Sequence, residues 1–329
     1  MRLWIVAAAA VGFAIAVYLI FRVGVGPVMH AVEAVGIGGF AIICAYALGL
    51  VVLLACGWYA LFPAGSRPRP SNFVIARQVR DSASDVLPFS QLGGIFIGAR
   101  ALTLRGVAAP LAFASAAADV TTELVAQVAF IAIGAGLGIA QLRTAQSTAP
   151  LAESIPVGLV LMIPAVGLFI MLQRRGSRLA HSLAARWLPK AVKHASAFSA
   201  AINAFYDSPA RLALSSTVHL AGWIGSGIGT WITIRLIGGH ISLLSAIAIE
   251  ALLSAARSAF VFVPGALGIQ EAAYAGLAPV FGLPIEVGLA ASLLKRAREI
   301  TIGIPVLIAW QAMEGRRAFS RVDERFSES

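Results

Sequence analysis

Apolar residues gather along this chain in blocks at 3–21, 36–62, 155–172, 212–237 and 301–310. The longer blocks reach the roughly 20 residues with which a helix crosses a hydrocarbon core, so they predict transmembrane helices. Polar positions divide the intervening chain in other ways. Residues 72–87 carry Arg77, Arg80, Asp81 and Asp85 in an amphipathic pattern, which predicts a helix lying at the cytoplasmic interface. A break follows, Pro88-Phe89-Ser90-Gln91-Leu92-Gly93-Gly94, and then 95–104, too short to span and holding Arg100. That combination predicts a re-entrant element. Residues 107–142 exceed one ordinary span, and within them Asp119, Thr122, Glu123 and Gln127 fall at i, i+3, i+4 and i+8 on one helical face. Such a polar stripe must point inward.

The second half shows the same alternation at a displacement of 176 residues. Pro88 maps to Pro264, Gly106 to Gly282 and Glu123 to Glu299, while block 36–62 falls on 212–238. The stripe Asp119 to Glu123 falls on Lys295 to Glu299. Under this mapping 241–263 need not cross, since its counterpart is the interfacial segment; by hydropathy alone it reads as a full helix. The pattern predicts an all-α polytopic membrane helix bundle of about six to eight spans, with two re-entrant or broken helices. Loop charges give the two halves opposite directions, so repeats at 1–150 and 177–318 would be inverted, an arrangement transporters use for alternating access. One transmembrane domain, 1–318, and a short cytoplasmic tail, 319–329, are expected.

Composition supports this class. With 59% hydrophobic and 12% charged residues, a soluble globular core is excluded. The net charge of +10 does not mark a nucleic-acid binder, because Lys and Arg sit in short segments flanking apolar blocks. Arg67, Arg69, Arg77 and Arg80 mark one cytoplasmic segment, 174–211 with Lys190 and Lys193 a second, and Arg316, Arg317, Arg321 and Arg325 the tail. The basic-poor loops 26–35, 141–153 and 238–240 then lie outside, and the N-terminus inside. No small-x-small cleavage site precedes Arg22, so the first block reads as an uncleaved helix. Cys44 and Cys56 point about 120° apart on one helix, which disfavours a disulfide and suggests core thiols.

Ionisable groups inside such a chain demand an explanation, since each costs roughly 2.5–3.5 kcal/mol at mid-bilayer depth. Glu250, Ser254, Arg257 and Ser258 share one face of a helix that runs into the break Pro264-Gly265-Ala266-Leu267-Gly268-Ile269-Gln270-Glu271. Arg257 is expected to reach Glu250 or Glu271. The group is either a structural ion pair or the lining for a lipid headgroup or a coupling proton. Gly265 and Gly268 permit the turn. Ser292, Lys295, Arg298 and Glu299 form a stripe, and Lys295, Arg296 and Arg298 suit an anionic headgroup or phosphate, or else compensate Asp119, Glu123 and Glu271. His219, with Trp223, Gly222, Gly225 and Gly229 near it, reads first as helix packing and second as a proton relay. His30, His181, His194 and His240 stand singly, without metal-ligand spacing. There is no phosphate loop, nucleophile elbow or Cys-x-x-Cys pair, and Gly134, Gly136 and Gly138 follow no strand, so no enzyme activity and no cofactor are expected.

Several runs carry a family resemblance. They are Ser84 through Gly94 with Gly98-Ala99-Arg100, His219-Leu220-Ala221-Gly222-Trp223, Pro264 through Glu271, and Lys295-Arg296-Ala297-Arg298-Glu299. Together they resemble the hopanoid-biosynthesis-associated membrane proteins of the L type, within the wider family of the lysylphosphatidylglycerol synthase transmembrane region, over residues 5–315. Gln270 before Glu271 matches the hopanoid-type form of that family's Pro-Gly-x-x-Gly-x-x-Glu pattern. The resemblance implies a flippase-like lipid translocator or lipid-transport accessory of a bacterial inner membrane. Anionic or hopanoid headgroups would be its ligands, and hopanoid-biosynthesis proteins its partners. The charge and spacing of the residues and the resembling motifs together place Gln91, Arg100, Asp119, Glu123, Glu250, Arg257, Pro264, Gly265, Gly268, Glu271, Lys295, Arg298 and Glu299 in the candidate site. Only a short charged tail follows Trp310, so the synthase's aminoacyl-transfer reaction is not carried over. The alternative is a non-transporting scaffold for hopanoid or lipid-modifying enzymes.

Overall fold

The computed structural model describes residues 18, 25–87, 90–144, 164, 167–175, 189–260 and 263–327. The expected spans at 3–21 and, for the most part, 155–172 lie outside them, as do Pro88 and Phe89. All regular structure among the described residues is helical: α1 (Val25–Ala60), α2 (Pro70–Val86), α3 (Ser90–Leu104), α4 (Ala109–Thr144), α5 (Pro189–Tyr206), α6 (Pro209–Leu236), α7 (Leu243–Ala259), α8 (Ile269–Val280) and α9 (Ile285–Ser327). Residues 167–175 are helical as well, and short 3-10 turns lie at Ala64–Ser66 and Pro264–Ala266. This is an all-helical membrane bundle.

Val32–Ala60 and Ala109–Gly138 are long and apolar enough to cross a bilayer, with mean hydropathies of 2.5 and 1.7. Within α1, Gly36 interrupts the helix at φ 60° and ψ 177°, a conformation other residues avoid. Beyond it, Ile42, Leu48, Val52 and Leu53 remain exposed, an apolar face suited to lipid. Cys44 is half-buried and Cys56 exposed, both as free thiols, so Cys56 is not the core thiol expected from its apolar block.

Local sequence sets the remaining boundaries. Pro70 and Pro209 open α2 and α6, where a missing N–H costs nothing. Ser242 caps α7, its Oγ accepting the Ser245 N–H at 3.0 Å. α7 then stops at Ala259 after 17 residues, about 25 Å of helix, so 241–263 is not one continuous crossing helix. Gly106 and Gly282 turn the chain into α4 and α9 with φ of 91° and 77°.

Helix ends recur at one offset. Ala60 and Leu236, Leu104 and Val280, and Ala109 and Ile285 are each 176 positions apart. Packing recurs with them: α2 pairs with α3 as α7 does with α8, α4 lies on α6 and α7, and α9 lies on α1 and α2. The equivalent helices α1 and α6 pack on each other. They run antiparallel, since Gly39 faces Leu236, Leu54 faces Gly222 and His219 faces Gly57, while the Tyr46 hydroxyl donates to the Gly225 carbonyl at 2.7 Å.

The structure corrects the expectation for 72–87. Helix α2 does not turn its charged face to solvent: Phe73 is 0% exposed, Arg77 3% and Arg80 8%. Its apolar face enters a core where Phe73 meets Trp58, Tyr59 and Phe62 edge-on, and its arginines turn inward to carboxylates of α4. Close approach of α3 depends on Gly94. A Cβ there would stand 2.7 Å from the Arg80 carbonyl and 3.0 Å from the Ser84 nitrogen, backbone atoms that cannot rotate away. Gly94→Ala should therefore destabilise by about 1–3 kcal/mol, whereas Gly276→Ala, which meets nothing within 4 Å, should not. Thermal unfolding in detergent compares the two, and equal midpoints would refute the close-packing account.

Candidate functional site

The second helix break is built from residues in the left-handed region. Gly265, Ala266 and Gly268 have φ of 58°, 47° and 76°. Gly268 precedes α8, and its N–H is accepted by Glu271 Oε2 at 2.8 Å, so the carboxylate closes the first turn of that helix. Glu271 Oε1 accepts from Ser292 Oγ at 3.3 Å and from Arg296 Nη2 at 3.2 Å, while Arg296 Nη1 donates to the Gly265 carbonyl at 2.7 Å. Arg296 thus ties α9 to both sides of the turn. The helices flanking the first break lie beside it: the Pro264–Ala266 turn packs on α2 and α3, and a Cβ on Gly265 would stand 3.4 Å from the Asp85 carbonyl.

Next to this junction is a cavity of about 180 Å³. One water needs about 10–15 Å³ measured this way, so the space admits a small polar group with its solvent. Asp85 of α2, Glu250 and Arg257 of α7, and Lys295, Arg298 and Glu299 of α9 supply its charges; Tyr46, Trp223, Thr230 and Tyr274 contribute to its walls. Glu250 is saturated. It accepts from Thr230 Oγ1 at 2.7 Å, from the Tyr274 hydroxyl at 3.0 Å and from the Lys295 ammonium. Among the described residues Arg298 reaches only its neighbour Glu299, at 3.5 Å. Arg257 and Asp85 face the cavity and make no hydrogen bond or ion pair with any described residue. A second cavity of about 160 Å³ shares Leu50, Asp85, Arg298 and Glu299 with the first and adds Gln78 and Asp81.

This geometry redistributes the sequence candidates. Arg257 pairs with neither Glu250 nor Glu271, because Lys295 and Arg296 arrive from α9 and occupy those carboxylates. Asp119 and Glu123 do not line the cavity. Arg80 holds both, at 2.6 Å each, and Arg77 holds Glu123 at 2.7 Å, so the α9 cations are not their partners. His219 Nε2 lies 2.9 Å from Asp119 Oδ1 in the same cluster, wholly buried, with no partner for Nδ1. Arg100 pairs with Glu314 on the half-exposed flank of α3 and α9, away from the cavity. Pro264 opens the 3-10 turn and Gln91 lies in the first turn of α3; their side chains fall outside the described residues.

Asp85, Thr230 and Tyr274 were not among the candidates, and Arg296, expected to meet an anionic headgroup, is taken up by Glu271 and the Gly265 carbonyl. A signal for Asp85 exists: Arg77, Asp81 and Asp85 at i, i+4 and i+8 share the face of α2 that turns inward. No group of three or more His, Cys, Asp or Glu placed to hold a metal occurs among the described residues.

Comparison with known proteins gives one result of wide coverage. The family model described as the lysylphosphatidylglycerol synthase TM region matches residues 5–308. No curated protein and no solved structure matches the chain.

Proposed function

The chain belongs to the family of the lysylphosphatidylglycerol synthase TM region, and on that premise we propose that it is a flippase-like lipid translocator or lipid-transport accessory of a bacterial inner membrane. Its cargo is a hopanoid or related lipid, in keeping with the resemblance of its motifs to the L-type hopanoid-associated group. The headgroup site is the 180 Å³ cavity. The single observation that carries this is the pair Arg257 and Asp85, charged groups from two hairpins that face one cavity and make no hydrogen bond or ion pair with any described residue. Lipid-buried charges without partners are costly, so a group that persists there has a use.

The halves form an inverted repeat in this reading. Equivalent helices α1 and α6 run antiparallel, and the packing of α4 on α7 is returned by α9 on α2. A two-fold axis relating them lies across the helices, in the membrane plane, as alternating access by rocking requires. The cytoplasmic termini follow from the basic segments. Transport proceeds without a covalent step on the lipid. The scaffold reading draws instead on the closed pairs of Arg77, Arg80, Asp119 and Glu123, which have no capacity left for a ligand.

Leaflet exchange in reconstituted vesicles separates the two. Wild-type protein should accelerate exchange of a labelled hopanoid or phospholipid over protein-free vesicles, and Arg257→Ala should remove about tenfold or more of that gain, the loss of one charge-assisted contact. Folded wild type that leaves every lipid at the protein-free rate would sink the translocator reading in favour of the scaffold.

A further inference from the structure

We propose that the cavity selects a zwitterionic headgroup in which a phosphate and an ammonium are joined by a short spacer, as in phosphatidylethanolamine. This rests on the cavity being the headgroup site and, of the hopanoid or related lipid proposed above, selects a zwitterionic phospholipid over a hopanoid. The cavity presents three cations and three anions, and most are already matched: Lys295 with Glu250, and Arg298 with Glu299. What remains is one guanidinium, Arg257, and one carboxylate, Asp85, facing the same space without touching. Unlike charges in a poorly solvated pocket attract strongly, so a pair held apart across a cavity is held by its helices and leaves a gap for a bridging group.

The four kinds of occupant differ in how they fill that gap. An anionic headgroup answers Arg257 but meets Asp85 as a like charge. A cationic headgroup does the reverse. A neutral polyol leaves both charges with dipoles alone. A zwitterion answers both, with the phosphate on the planar fork of Arg257 and the ammonium on Asp85. Tyr46, Trp223 and Tyr274 line the same cavity, and aromatic faces favour cations. Asp85 belongs to the α2–α3 hairpin and Arg257 to α7, its counterpart 176 positions on, so such a ligand also bridges the two halves.

Calorimetric titration of the detergent-solubilised full chain with dihexanoylphosphatidylethanolamine and dihexanoylphosphatidylglycerol tests this without relying on transport. Wild type should bind the ethanolamine lipid about tenfold tighter or more, the worth of one charge-assisted contact. Asp85→Asn should bring that ratio close to one by weakening the ethanolamine lipid alone. Arg257→Gln should weaken both lipids. Equal binding of the two by wild type, a preference for the glycerol lipid, or binding of neither overturns the proposal; if Asp85→Asn does not fold, the wild-type ratio decides. Ethanolamine preference in the titration with no leaflet exchange in vesicles refutes translocation and leaves the selectivity standing. Exchange without that preference does the opposite.

Discussion

Replacing Arg80 by alanine is expected to cost about 3–5 kcal/mol of stability, because it strands buried carboxylates that the guanidinium now holds. Arg80 reaches Asp119 and Glu123 at 2.6 Å each, and Asp119 is 0% exposed. Without it, Asp81, Asp119 and Glu123 all lean on Arg77, whose contact to Asp119 is already 3.6 Å. Adding Asp119→Asn should recover part of the loss by removing the stranded charge. Arg100→Ala offers the contrast. Its pair with Glu314 is 42% and 32% exposed, so water screens it and the loss should stay within about 1 kcal/mol. Thermal unfolding midpoints in detergent rank the three variants. A double variant no more stable than Arg80→Ala would show that charge is not what the cluster supplies.

Glu250 and Lys295 should behave as a unit. Glu250→Gln keeps an acceptor for Thr230 and Tyr274 but leaves the Lys295 ammonium without its counter-charge, and Lys295→Met does the converse to Glu250. Each single change is expected to lose about 3–5 kcal/mol, and the double change to recover most of it, since neither unpaired charge then remains buried. Additive losses in the double variant would mean that the two side chains act separately. The pair also explains why neither is the free charge of the cavity: each satisfies the other, with Thr230 and Tyr274 completing the carboxylate.

Much of the architecture was legible because it is encoded locally. Proline and glycine punctuation at Pro88, Gly106, Pro264 and Gly282, with apolar blocks between, gave the order of elements and the displacement at which helix ends recur. The stripe at Asp119, Thr122, Glu123 and Gln127 was read as inward-facing, and its members do bond inward, Thr122 to Ser215 and Gln127 to Ser258. Partner identity was not legible. Which cation meets which carboxylate depends on how helices cross, and the pairs span 39 to 46 positions in Arg80 with Asp119, Lys295 with Glu250, and Arg77 with Glu123. Arg257 looked like the partner of Glu250 because both ride α7, yet seven positions along a helix separate them by about 10 Å of rise. The burial of the charged face of α2 was not legible for a related reason: amphipathicity marks a polar face, and that face can meet buried counter-charges as well as water.

The contrast between the stripes bears on how the molecule chooses a conformation. Asp119 and Lys295 occupy matching positions in the two halves with opposite sign, and their counter-charges, Arg80 and Glu250, are exchanged in the same sense. A duplicated chain with identical charges would have two conformations degenerate by symmetry, each the image of the other. This chain lacks that degeneracy, because turning it about such an axis exchanges the sign of these two pairs while Glu123 and Glu299 keep theirs. In the translocator proposed above, two orientations related by that axis would then differ in energy before any lipid binds, and cargo would act on an equilibrium already biased.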